Sequence, residues 1–378
     1  MTSLTLTALL LSLLASLTLA DPSLSVVVSG PSSVNGLSDL QITTTLQNTG
    51  NETLRLLNDP QSVLTPRWAT DVFNISKAGN LSSVAPNFLG VVVKWSPRLA
   101  AAGNDFTILV PGQSLELVHD RQYSLFFNCE SLNLTTRAYW ITLVSARYDF
   151  STAGEGTYEF LAADTFIHLD TTGEMTSLKA TLNSPTSLTL FGDLSSSSQL
   201  TPTSAKFAKR AGFAYCSTRQ QAELRSAIST AQSYASAALR YLLNHAFSTP
   251  RFTTWFGRYT SDDHAIVTRN FIGINGSRFD DFTYDCSCTD AHTFAYVYPN
   301  NYGKIYLCGA YWGAPPTGTD SKSGTLIHEC SHFTRIAGTK DIAYGQSGCR
   351  RLAERNPREA IMNADSHEYF AENNPFLT

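Results

Sequence analysis

Charge is scarce in this sequence. Only 15% of its 378 residues are Asp, Glu, Lys or Arg, and their balance is a net −4. That balance argues against nucleic acid as the main partner, because binding a phosphate backbone takes an excess of cations. Long apolar runs are absent after residue 20, so no later segment is built to cross a bilayer. The first 20 residues are Leu, Ala, Ser and Thr, too short and too rich in hydroxyls for a good span, and they end on small residues at Ala20. They read as a secretory signal, one that lacks the usual Lys or Arg near its start. Low-complexity disorder is excluded by 43% hydrophobic and 11% aromatic residues, and the length suits two domains. A soluble, secreted, extracellular product is expected, without a membrane or nucleic-acid partner.

Sequons at Asn51, Asn74, Asn80, Asn133 and Asn275 agree with a secretory route. The seven cysteines then imply disulfides with an odd thiol left over. Residues 24–166 show short alternating runs such as Leu24-Ser-Val-Val-Val, Gly90-Val-Val-Val-Lys-Trp and Tyr139-Trp-Ile-Thr-Leu-Val, punctuated by turn residues. This predicts an all-β, sandwich-like domain over residues 21–170. That half has no dense cluster of His, Cys or acidic residues, so a structural or inhibitory job is expected of it. Residues 171–210 are rich in Ser and Thr and are expected to form a linker. It ends on Lys209-Arg210, a candidate cut for a dibasic processing protease. Residues 211–378 carry helical periodicity from 218 to 247, with Ser217 or Thr218 as N-cap, and further helices near 264–274, 345–355 and 365–372. Together with two short strands these predict an α+β domain, mainly helical with a small antiparallel sheet.

The chemistry concentrates in His328-Glu329-Cys330-Ser331-His332, an H-E-x-x-H pattern. On a helix the two imidazoles project from one face and can grip one metal ion, with Glu329 placed to reach a water beside it. Two imidazoles and a carboxylate suit zinc and leave a fourth position open. A three-histidine site needs His at 338, where this chain has Gly. Glu354 is the candidate for a carboxylate about twenty residues on. Gly338-Thr339-Lys340-Asp341 offers a nearer one, because Gly338 lets the chain turn back towards the helix.

H-E-x-x-H followed by Gly338-Thr339-x-Asp341-x-x-Tyr344-Gly345 resembles the signature of the fungal deuterolysin-type zinc endopeptidases, the aspzincins, over the whole C-terminal half. The resemblance implies one Zn2+ held by His328, His332 and Asp341, Glu329 as general base and Tyr344 as oxyanion donor. Within that group the segment Met362-Asn-Ala-Asp365-Ser-His-Glu368 is most similar to the peptidyl-Lys metalloendopeptidases, which cut on the amino side of lysine. There the matching carboxylates, Asp365 and Glu368, make the S1′ pocket acidic. Asp365-x-x-Glu368 also fits a helix-capping box with Asp365 as N-cap. The same resemblance pairs Cys216 with Cys286 and Cys288 with Cys308. Cys330 points away from the metal face and is read as a buried thiol or as the partner of Cys349. Cys129, alone in the N-terminal half, is read as a core cysteine, with capping of the zinc as the rival reading. His367 lies beside the expected pocket. His119, His168, His245, His264 and His292 lack ligand spacing and read as structural or surface residues.

These features predict a secreted zinc endopeptidase made as a zymogen. Its partners would be protein and peptide substrates, its own propeptide and a dibasic processing protease, with self-cleavage before Lys206 or Lys209 as another route to maturation. The alternative is a secreted binding or adhesion protein with a structural or inactive metal site.

Overall fold

Strands whose apolar residues recur at every second position must cover one face, and the N-terminal half does so in sheets. A computed structural model describes residues 21–65, 67–79, 85–119, 136–138, 147–195 and 211–378. In chain order come β1 (Leu24–Ser29), β2 (Ser33–Asn35), β3 (Ile42–Asn48), β4 (Leu54–Leu57), β5 (Phe73–Lys77), β6 (Asn87–Phe88) and β7 (Val92–Trp95). After α1 (Pro97–Ala102) follow β8 (Phe106–Leu109), β9 (Ser114–His119), β10 (Thr136–Ala138), β11 (Tyr148–Asp149), β12 (Gly156–Ala162) and β13 (Thr165–Leu169). The last of this half are β14 (Met175–Lys179), β15 (Thr181–Leu182) and β16 (Thr186–Phe191).

Three sheets form this layer, ordered β10-β9-β3-β1-β15, β2-β16-β12-β5 and β14-β13-β4-β8, with a ribbon of β6 and β11 beside them. Their inward residues, among them Ile42, Leu46, Leu54, Leu117, Phe160, Phe166 and Leu190, share one buried core. The layout is sandwich-like, with three sheets where a simple sandwich has two. The linker expected from residue 171 is corrected up to residue 195. Strands β14 to β16 lie in the sheets, with Leu178, Leu188 and Leu190 buried between exposed or half-buried hydroxyl and charged residues. Hydroxyl-rich composition there reflects the outer face of strands rather than a loose chain. The remainder of the expected linker with Lys209 and Arg210, the signal, Cys129, Asn80, Asn133 and the run 139–144 all lie outside the described residues.

The C-terminal half is α+β, as predicted. Its strands are β17 (Gly212–Ala214), β18 (Thr283–Asp285), β19 (Thr293–Val297) and β20 (Lys304–Leu307). Its helices are α2 (Thr218–Asn244), α3 (Pro250–Phe256), α4 (Ser261–Gly276), α5 (Gly309–Gly313), α6 (Lys322–His332), α7 (Gly345–Arg355), α8 (Pro357–Ala360) and α9 (Ala364–Glu372). The expected N-cap is met: Ser217 and Gln220 form a reciprocal capping box at the start of α2. Cys216–Cys286 and Cys288–Cys308 are bonded, with Cα separations of 5.0 and 4.5 Å. They tie the start of α2 and the loop before β19 to the sheet.

Two corrections concern the sheet. It is mixed rather than antiparallel, because β17, β18 and β20 run parallel to one another and only β19 is reversed. Its order is β17-β18-β20-β19-β7, so its last strand comes from the N-terminal half. Gly90-Val-Val-Val-Lys-Trp was expected in the β-domain; instead β7 runs antiparallel to β19, with Val93 opposite Tyr296 and Lys94 opposite Ala295. All four residues of β7 are buried. A strand covered on both faces is expected to be apolar throughout; Lys94 is the exception here, buried against the carboxylates of Asp365 and Glu368. Val92 enters the C-terminal core, and Val91, Val93 and Trp95 pack with Tyr296, Tyr298 and Tyr344.

Helix α6 lies at the centre of the C-terminal half and packs on α2 and α9. Ser321 caps it, its Oγ accepting from Gly324 N at 2.9 Å. Gly324 permits the approach of α9: a Cβ there would stand 2.1 Å from Glu372 Oε1 and 3.0 Å from Glu368 Cγ. Gly324→Ala is therefore expected to overpack this contact by about 1–3 kcal/mol and to lower the melting temperature by several degrees. Gly276→Ala, at the end of α4 with nothing within 4 Å of the added carbon, should leave it nearly unchanged. Parallel melts of the two variants check this.

Candidate active site

One turn of α6 separates His328 from His332, whose rings lie 4.7 Å apart at 83°. After the helix the chain reverses through Gly338, at φ +59°. Thr339 N then donates to Ser331 O at 3.2 Å, and the Ser331 and Thr339 hydroxyls are 2.6 Å apart. The returning strand is pinned on its other side by Asn363, whose Oδ1 accepts from both Ile342 N and Ala343 N at 3.0 Å. Asp341 is thereby delivered to the histidines. Its Oδ1 lies 2.9 Å from His328 Nε2 and 3.4 Å from His332 Nε2.

The opposite ring nitrogens are engaged elsewhere. His332 Nδ1 meets Thr339 O at 2.8 Å in a hydrogen bond, and His328 Nδ1 lies at ion-pair distance, 2.8 Å, from Asp365 Oδ1 without hydrogen-bond alignment. Such outer partners orient each ring so that Nε2 faces the shared centre. Both Nε2 atoms and Asp341 Oδ1 are buried, and none is aligned as a hydrogen bond. Buried polar atoms left in this state are costly unless something else satisfies them, and two imidazoles with one carboxylate are a donor set that fits zinc. The residues present therefore fit a metal. Glu354, the rival third ligand, is on α7 and belongs to no potential ligand cluster among the described residues.

A second cluster, His328 with Asp365 and Glu368, also brings potential metal ligands together. It already holds a cation. Lys94 Nζ from β7 lies 2.6 Å from Glu368 Oε2, 3.0 Å from Asp365 Oδ1 and 3.8 Å from Asp320 Oδ1. Burial opposes the charge on Lys94, but the carboxylates of Asp365, Glu368 and Asp320 overcome it and hold its pKa well above the ordinary lysine value. Asp365 is pulled below the usual carboxylate range despite its burial, chiefly by Lys94 and His328. Glu372, one turn on, is pushed by burial and by Glu368 to about 9 and stays neutral.

Asp365 and Glu368 thus share a face, as expected, but the capping box does not form. Helix α9 begins at Ala364 with Asn363 as N-cap, and Asp365 is already inside the first turn. Its carboxylate is drawn to Lys94, His328 and Gly345 N, the last at 2.8 Å. His367 faces away from the pocket, between Asn363 O at 3.0 Å and Asn270 Nδ2 at 3.1 Å, and burial lowers its pKa to about 4. Cys330 and Cys349 are free and buried, so they form no third disulfide.

Glu329 is fully buried beside the histidines with both oxygens free of hydrogen bonds. Burial pushes its pKa well up; Asp341 and Glu368 add to the rise, while His328 and Lys94 oppose it. Tyr344 is half-buried with its hydroxyl enclosed, edge-on to Trp95 at 5.8 Å. Burial and the nearby Asp59 and Asp341 carboxyls push its phenol well up. Sequence reasoning missed Asn363, Ser331, Thr339 and Asp320. The first three lie within or beside the motif stretches, but only the fold shows what their polar atoms hold. It also missed Lys94, which nothing in the local pattern marks out.

Residues 241–372 match the family described as lysine-specific metallo-endopeptidase. The chain is 44% identical over 360 residues to the peptidyl-Lys metalloendopeptidase of Grifola frondosa, covering 94% of each chain. It is 40% identical to that of Armillaria mellea over 94% of this chain and 93% of the relative. The Pleurotus ostreatus peptidyl-Lys metalloendopeptidase is 53% identical over 167 residues, which is 44% of this chain and 99% of that one. Identity at this level along nearly the whole of each chain places the protein in the lysine-specific metallo-endopeptidase family as a zinc metallo-endopeptidase.

Proposed function

We propose that this is a secreted endopeptidase, made as a zymogen, that hydrolyses peptide bonds on the amino side of lysine. The observation that carries the lysine preference is the pocket of Asp365 and Glu368, already filled by a lysine ammonium at 3.0 and 2.6 Å. Two buried carboxylates without a cation would be strongly destabilising, whereas a charged amine satisfies both. The peptidyl-Lys names of the Grifola, Armillaria and Pleurotus relatives point the same way.

His328, His332 and Asp341 would hold one zinc ion, which when bound acidifies water and polarises a carbonyl. Glu329 is the general base: buried beside the histidines with both oxygens free of hydrogen bonds, it is placed to take a proton from the attacking water and pass it to the leaving amine. Tyr344 donates its phenolic hydrogen to the oxyanion as charge develops on the substrate carbonyl. Asp365 and Glu368 receive the lysine that follows the bond. Asp365 also steadies His328, so substrate side chain and catalytic centre meet on one carboxylate.

The domain reading is a signal over residues 1–20, a β-domain propeptide up to the boundary near 210 and a catalytic domain over 211–378. It is supported by a relative that matches along nearly its whole length with less than half of this chain. Among the described residues no helix is long and apolar enough to cross a membrane, and an extracellular protease of Aeromonas hydrophila is 31% identical over 89% of each chain. Processing after Lys209-Arg210 would release a product beginning at Ala211, which N-terminal sequencing of the secreted enzyme would read directly. A start at Lys206 or Lys209 would mean self-cleavage instead.

Glu329→Gln should reduce turnover by roughly 10²–10⁴-fold while metal content, measured by mass spectrometry, stays at the wild-type level. An active Glu329→Gln enzyme refutes the base assignment. Glu368→Gln should lower kcat/KM for lysine substrates by about 10–100-fold, the worth of one hydrogen bond to a buried charge. The preference for lysine over uncharged residues, profiled on a peptide mixture, should fall with it. An unchanged profile would assign lysine recognition elsewhere.

A further inference from the structure

The cleft of this protein is filled by its own chain. We propose that β7 occupies the active site as a substrate-like inhibitor, with Val93–Lys94 at the position of the scissile bond and Lys94 as its anchor. The inference rests on the lysine specificity proposed above.

Three independent contacts carry it. First, β7 completes the sheet: without it β19 would be the exposed edge, and an extended peptide that adds to such an edge gains a ladder of main-chain hydrogen bonds. The pairing is antiparallel, from Val92 opposite Val297 to Trp95 opposite Thr293, with a register shift beside Lys94. Second, the Lys94 side chain is only 2% exposed and ends among Asp365, Glu368 and Asp320, over the ring of Phe294 at 5.3 Å. Third, Val93 N donates to Asp341 Oδ2 at 3.1 Å. Asp341 is the proposed carboxylate ligand, so the residue before Lys94 sits against the metal centre while Lys94 fills the pocket. The Val93–Lys94 peptide lies between these two anchor points.

The flanks explain why such a segment would block the site rather than leave as product. On one side Val91 N donates to Ala69 O at 2.9 Å, and Leu89 N to Arg147 O at 2.7 Å. On the other, Ser96 N donates to His292 O at 2.9 Å, Ser96 caps α1, and His292 Nδ1 meets Asp105 at 3.1 Å. Trp95 and Val93 are buried with Tyr296 and Tyr344. The bonds from Val91 and Leu89 and the continuation into α1 belong to the N-terminal half, and a free substrate has none of them; the bond to His292 O is one a substrate backbone could also make. Even a cut at Val93–Lys94 would leave both new ends held by the β-domain, so the cleft would stay occupied until that domain departs. Asp320 and Phe294, outside the motif pair, then complete the lysine pocket for substrates as well.

The test begins with the zinc-loaded full chain carrying Lys206→Ala, Lys209→Ala and Arg210→Ala to keep it uncut, verified by intact mass. With Lys94→Gln added, the uncut chain should hydrolyse a quenched peptide containing one lysine at least about tenfold faster than its Lys94 parent, because one buried ion-pair partner is lost. A synthetic peptide of residues 90–99 should compete with substrate for the secreted, processed enzyme. Its Lys94→Gln counterpart should compete at least about tenfold more weakly. The peptide pair decides the matter if the variant chain does not fold. Equal competition by the two peptides, or a folded Lys94→Gln chain as silent as its parent, overturns the proposal. Secreted wild-type enzyme that fails to cut before lysine overturns the specificity reading instead.

Discussion

The carboxylate of Asp365 is the contact on which the rest of this structure depends. Its Oδ1 lies 2.8 Å from His328 Nδ1 and 3.0 Å from Lys94 Nζ, and its Oδ2 accepts from Gly345 N at 2.8 Å. Three separate parts of the chain therefore meet on one buried group: the histidine helix α6, strand β7 and the start of α7. Removing such charges from water costs several kcal/mol each unless they are paired. On the proposed reading that cost makes the pocket selective for lysine, because an uncharged side chain would leave buried carboxylates uncompensated. The neutral state of Glu372 limits the number of anions to be matched.

The same constraint ties recognition to packing. Glu368 and Glu372 reach α6 only because Gly324 has no side chain. Asn363 reinforces the arrangement from the other side. It leaves the usual capping role at the start of α9 and spends its Oδ1 on Ile342 N and Ala343 N, which holds the loop that delivers Asp341. The proposed ligands and pocket are thus set by α6, α9 and the loop that follows α6. The sheet supplies the remaining wall: β19 carries the strand that lies across the cleft, and Phe294 on it faces Lys94.

Much of this was legible in the amino-acid order. His328, Glu329 and His332 fall on one helical turn, so their convergence is a matter of local periodicity, and Gly338 marks the reversal that returns Asp341. The N-cap of α2 was likewise legible as Ser217 or Thr218, whereas the reciprocal bond from Gln220 came only with the structure. The Asp365-x-x-Glu368 pair was legible as a shared helix face but not as a choice between cap and pocket. That choice depends on what lies opposite, and Lys94 is more than 270 residues away along the chain. The Ser- and Thr-rich stretch after residue 171 misled for a related reason: composition does not distinguish a loose linker from strands with one hydroxyl-covered face.

By itself, then, the sequence was enough to bring His328, Glu329 and His332 together and to mark the turn that returns Asp341 to them, because each depends on residues within one helix and one loop. Strand β7 shows the opposite case. Val92-Val93-Lys94-Trp95 is a sound strand by propensity, yet propensity does not say which sheet it joins. Only the tertiary structure decided that it leaves its own domain, pairs with β19 and places a lysine in the acidic pocket. Strand partners are chosen by edge complementarity and buried charge between distant segments, and no local pattern contains both.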